Sequence, residues 1–121
     1  MSKTSEGAQP VGLTIVLADW CPHCVPLSEE KGRELGGRLG IPVRRLDIDD
    51  RAEEREADAL VQAYGDWSPD YLIPQVFLQW SDGRVDHVLT GFPEGVSRTR
   101  RAWDELLRSD WVQHLAAARK A

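Results

Sequence analysis

Leu13-Thr14-Ile15-Val16-Leu17-Ala18, followed after Asp19 by Trp20-Cys21-Pro22-His23-Cys24, is the stretch that decides how this chain folds. The first run is apolar and hardly alternates, which predicts a strand buried on both faces, as at the centre of a sheet. The second run holds both cysteines of the chain. Two thiols separated by two residues can close a small disulfide ring or attack another disulfide in turn. Behind them Cys24, Ser28, Gly32, Leu35 and Leu39 recur at three- or four-residue spacing. That spacing predicts a helix whose inner face is mostly small and can lie close to a sheet. A helix start directly behind a thiol favours its thiolate, because free N–H groups and the helix dipole stabilise negative charge. Strand, Cys-x-x-Cys and helix together predict redox chemistry.

Outward from this stretch, Gly36, Gly37 and Gly40 weaken the helix and Pro42 stops it. Val43 to Ile48 reads as a second strand. Asp49 or Asp50 can cap a helix from Arg51 to Tyr64, with Glu53 and Glu54 in its first turn. Ala57, Leu60, Val61 and Tyr64 form its apolar stripe, and Gly65 suits a left-handed stop. Gln75 to Trp80 and Val85 to Leu89 flank Ser81-Asp82-Gly83, which predicts a β-hairpin. From Val96 onward Trp103, Leu106, Leu107, Trp111 and Leu115 keep helical spacing, as one helix or as two divided near Ser109 or Asp110. The order β-α-β-α-β-β-α predicts an α/β fold. Its four-stranded mixed sheet would hold a parallel pair joined by a right-handed crossover, an antiparallel hairpin, and helices on both faces.

A chain of 121 residues predicts one domain over 1–121, with 1–12 as a flexible leader. Fifteen Lys and Arg against 20 Asp and Glu give a net charge of −5, which argues against nucleic acid as a partner. Arg98, Arg100 and Arg101, followed by Asp104 and Glu105, read as a solvated helix face. No apolar stretch approaches the roughly 18 residues of a membrane helix, so no membrane partner is expected. With no visible export signal, one cysteine pair fits a catalytic role in a reducing, cytoplasmic compartment. Trp67, Trp80, Trp103 and Trp111 read as packing residues, and His87 and His114 as surface residues.

Residues from about Leu13 to Leu107 resemble the thioredoxin-like superfamily. The resemblance rests on Trp20-Cys21-Pro22-His23-Cys24 after the first core strand, on Ile73-Pro74 before the hairpin, and on Gly91 after the last strand. It implies a thioredoxin-like fold, a cis bond before Pro74 facing the active site, and Gly91 beside a substrate groove. The absence of a strand and helix ahead of the first core strand makes the layout more like glutaredoxin. Ile15 stands where thioredoxins carry a buried aspartate, the proton acceptor for the buried cysteine. The dipeptide Pro22-His23 is that of bacterial periplasmic disulfide oxidases, without their helical insertion.

The expected site follows. Cys21, ahead of the helix, is the exposed nucleophile, and Pro22 suits a first helical turn where its missing N–H costs nothing. Cys24, one turn further in, is buried and resolves the mixed disulfide. His23 adds a dipole or partial positive charge beside the Cys21 thiolate. Trp20, Ile73, Pro74 and Gly91 line the substrate groove, with the Ile73 backbone free to pair with an extended substrate. The expected activity is that of a thiol–disulfide oxidoreductase on protein disulfides or thiols, with the Cys21/Cys24 pair as its redox group and no other cofactor or metal. Its expected partners are substrate proteins and a reductase or glutathione, and the chain is expected to be a monomer. The alternatives are a glutathione-dependent glutaredoxin-like enzyme, a metal or iron–sulfur carrier built from two such pairs in a dimer, and a thioredoxin-fold adaptor.

Overall fold

The computed structural model describes residues 7–120, and its sheet is organised around the apolar run, which lies in β1 (Pro10–Leu17). β1 pairs in parallel with β2 (Val43–Asp47) on one side and antiparallel with β3 (Gln75–Trp80) on the other. β3 turns back into β4 (Val85–Thr90), giving a four-stranded mixed sheet in the order β2-β1-β3-β4. The helices are α1 (Glu29–Leu39), α2 (Arg51–Tyr64), α3 (Val96–Arg108) and α4 (Asp110–Lys120). The fold is α/β, and the last helical stretch is two helices, parted at Ser109, whose backbone is extended.

Alternation along β1 sorts the core into two layers, because successive side chains leave a strand on opposite faces. Leu13, Ile15 and Leu17 pack with Leu35 and Leu39 of α1, Trp103 and Leu107 of α3, and Val112 of α4. Val16 turns the other way and joins Leu46, Phe77, Ala57 and Val61 beneath α2. The small inner face of α1 brings it close to the sheet. A Cβ on Gly32 would collide with Ile15 Cδ1, and one on Gly36 with Val43 Cγ2. α1 then ends at Gly40, whose φ of 69° is the left-handed stop. Asp50 caps α2, its carboxylate accepting the Glu53 N–H at 3.1 Å.

Several local expectations are corrected. The strand begins at Pro10, so Pro10 to Gly12 of the expected leader belong to the sheet, and Ser81 N–H donates to Gln9 O at 2.8 Å. Residues 1–6 of that leader lie outside the described residues. Gly65 is extended (φ −106°, ψ −155°) rather than left-handed. Space explains the glycine there: a Cβ would lie 2.5 Å from Gln75 Oε1 and 2.7 Å from Phe77 Cζ. His87 is half-buried, stacked on Phe77 with ring centroids 5.0 Å apart, and burial pulls its pKa down. Trp67 and Trp111 are exposed rather than packed into the core. Among the described residues, no helix is long and apolar enough to cross a membrane.

Candidate functional site

Sheet register gathers the candidate residues at one end of the molecule. Gln75 opens β3 opposite Val16 and also faces Thr90, the last residue of β4. The ends of β1 and β4 and the start of β3 therefore share one edge, so Pro74, Gly91 and the turn after Leu17 are neighbours. Gly91 N–H donates to Pro74 O at 2.7 Å, and the Ile73–Pro74 peptide is cis. A Cβ on Gly91 would run into Ile73 O and lie 2.7 Å from Pro74 Cδ. Only glycine lets the two segments approach this closely. Gly91→Ala is expected to push the Ile73–Pro74 segment away and destabilise the fold by about 1–3 kcal/mol, the usual range for overpacking. Urea denaturation checks the stability, and an unchanged midpoint counts against the close approach.

The cysteine turn hangs from β1. Cys21 N–H donates to Ala18 O at 3.1 Å, and the N–H groups of Cys24 and Val25 both donate to Cys21 O, at 2.9 and 3.0 Å. Helical geometry then fails at Val25 (φ −128°, ψ 123°), and regular helix resumes only with α1 at Glu29. The helix expected directly behind the thiols is thus replaced by a single turn, a break and then α1. The signal was Pro26. Proline lacks an N–H and drives the residue before it toward extended backbone. The Val25–Pro26 peptide is also cis.

Cys21 is a second correction. Expected to be exposed, it is only 5% accessible, and Cys24 is fully buried. Both are free thiols. They lie near one another in the same core cluster, and the Cys24 thiol is pushed far up. Burial is the main cause, a backbone hydrogen bond at Ala18 opposes it, and contact with Cys21 and the charge of Glu29 add to it. Burial therefore favours the neutral thiol at Cys24. Ile15 is buried within the same core cluster as both cysteines and contributes no proton acceptor.

Residues far along the chain clamp this turn. Trp103 Nε1–H of α3 donates to Ser28 Oγ at 2.8 Å, and the Ser28 hydroxyl donates to His23 O. His23 Nδ1 lies 2.7 Å from Thr99 Oγ1, which also accepts the Phe92 N–H at 2.9 Å. Lys31 of α1 pairs with Asp104 of α3 at 2.7 Å. Helical spacing marks Trp103 as an inward residue, but nothing local to Ser28 or Thr99 names its partner.

Trp20 forms the rim. It is 68% exposed, with its indole N–H donating to Asp49 Oδ2 at 2.8 Å. Behind it Arg45 pairs with Asp19 and, at 2.8 Å, with Glu29, so both acids near the turn share one cation. On the Pro74 side, fully buried Gln75 holds the loop that leads into Ile73. Its Oε1 accepts the Asp66 N–H at 2.9 Å, and its Nε2 donates to Asp66 O at 3.1 Å and Leu72 O at 2.8 Å. All eight sequence-derived residues therefore lie on the cysteine turn or on the two segments facing its end of the sheet: Trp20, Cys21, Pro22, His23, Cys24, Ile73, Pro74 and Gly91. Among the described residues, no group of three or more His, Cys, Asp or Glu is arranged to hold a metal ion.

Fold and site together define a small α/β domain with a reduced cysteine pair at the end of a mixed sheet. Comparison with known protein families, curated proteins and solved structures gave no match.

Proposed function

We propose that this chain is a thiol–disulfide oxidoreductase of the thioredoxin-like type, acting on protein disulfides or thiols through Cys21 and Cys24. One observation carries the reading: two reduced thiols, Cys21 5% accessible and Cys24 fully buried, lie together at the sheet end where Pro74 and Gly91 meet. Unequal burial separates the roles. The Cys21 thiolate attacks one sulfur of a substrate disulfide, forming a mixed disulfide and expelling the other sulfur as a thiolate. Loss of the negative charge on Cys21 removes one of the effects that hold Cys24 protonated. Cys24 then gives its proton to the departed thiolate and attacks Cys21 Sγ. The second substrate sulfur leaves and takes up the proton that Cys21 released. Two electrons pass to the substrate, and the protein is left with a Cys21–Cys24 disulfide.

The same steps in reverse oxidise a substrate dithiol. Equilibrating the full chain with reduced and oxidised glutathione tests the reading. The pair is expected to cycle as a single two-electron couple, with its midpoint between about −270 and −120 mV. Cysteines that remain reduced at every glutathione ratio would overturn it.

A further inference from the structure

Thr99 is fully buried, and its hydroxyl sits between two partners that the proposed chemistry leaves unused. A hydroxyl has one proton and two acceptor lone pairs. The Phe92 backbone N–H, 2.9 Å away, can only donate, so it occupies one lone pair. His23 Nδ1, 2.7 Å away, is the other partner. With Nδ1 bare, Thr99 donates to it, and every group is satisfied once. With Nδ1 protonated, both lone pairs are filled, and the hydroxyl proton needs another acceptor inside the fold. Phe92 and His23 are the hydrogen-bond partners of Thr99 Oγ1 among the described residues. A buried donor without an acceptor is disfavoured, so the first arrangement prevails.

We propose that Thr99 is a positioning residue that holds His23 in the neutral tautomer protonated at Nε2, anchored through the Phe92 N–H of the loop after β4. His23 then offers the dithiol turn an N–H dipole at Nε2, one of the two roles, dipole or partial positive charge, expected from the motif. The consequence for the cysteines rests on the oxidoreductase reading, while the tautomer itself does not. Because Gly91 N–H is bonded to Pro74 O, Phe92 directly follows the contact that fixes the Pro74 segment. The same loop therefore holds both Pro74 and the ring of His23.

A long-range proton–nitrogen correlation spectrum of the reduced full chain, labelled with ¹⁵N-histidine, tests this at neutral pH. The His23 signals are assigned by their loss in His23→Ala. Wild type is expected to show Nε2 protonated and Nδ1 bare, Thr99→Ser to keep that pattern, and Thr99→Val to lose it. In the glutathione equilibrium Thr99→Val is expected to favour the disulfide form by about fivefold, the worth of one net hydrogen bond to the reduced site. In a His23→Ala background that shift should vanish, since Thr99 acts through the ring.

A wild-type His23 that is protonated at Nδ1, or that averages between tautomers, overturns the proposal. So does a Thr99→Val shift that is undiminished without His23, which would mark a merely structural role. Should Thr99→Val fail to fold, the wild-type and Thr99→Ser spectra decide alone. Cysteines that do not cycle with glutathione sink the oxidoreductase reading, and the spectrum still decides the role of Thr99.

Discussion

Cys21→Ser is expected to abolish reduction of a protein disulfide such as that of insulin, with a loss of about a thousandfold or more. Serine keeps the size and burial of the side chain but offers no thiolate at neutral pH. Cys24 cannot substitute, because it is fully buried and its thiol is pushed far up by that burial. Cys24→Ser has the opposite signature. The first attack survives and resolution fails, so substrate accumulates as a mixed disulfide on Cys21. Mass spectrometry of the acid-quenched mixture locates the adduct. Wild-type insulin reduction by Cys21→Ser, or adducts carried by Cys24, would reverse the assignment of nucleophile and resolving thiol.

The largest effect on stability is expected from Trp103→Ala. Trp103 is the largest fully buried side chain, and it packs with Ile15, Leu35 and both cysteines in one core cluster. Its removal leaves a cavity that the rigid sheet cannot fill, and truncations of this kind lose about 3–5 kcal/mol. For a domain of this size that corresponds to a fall in Tm of about 10–20 °C. The change also strips Ser28 Oγ of its Nε1–H donor, and Ser28 is what ties α3 to the carbonyl of His23. Loosening of the cysteine turn should follow, read as faster alkylation of both thiols in native buffer. Trp103→Phe restores most of the volume without the donor and is expected to recover more than half of the stability. A Tm within about 3 °C of wild type for Trp103→Ala would contradict the packing argument.

What was legible in the chain was legible for local reasons. The unalternating run in β1 announced a strand covered on both faces, and it received α1, α3 and α4 on one and α2 on the other. Asp50 and Glu53 stand at the spacing of a helix start, and they form one. The Ser81-Asp82-Gly83 turn brought two β-type runs into a hairpin. Misreadings came from signals that compete locally. The apolar spacing from Cys24 to Leu39 promised a continuous helix, while Pro26 removed a donor and made Val25 extended. Gly65 carried the residue type of a left-handed cap, yet its backbone is extended and its lack of Cβ makes room for Gln75 and Phe77.

By itself the sequence determined the elements, their order and the adjacency of two thiols, because period, propensity and short-range spacing act over a few residues. Tertiary structure alone decided how those thiols are surrounded. Strand register carried Pro74 and Gly91 to the end of β1, and α3 brought Thr99 and Trp103 onto His23 and Ser28 across separations of 76 and 75 residues. Packing also buried Cys21, which its place in the motif had promised to the solvent. Burial and long-range hydrogen bonds are sums over partners brought together only by folding, so no window of neighbouring residues contains them.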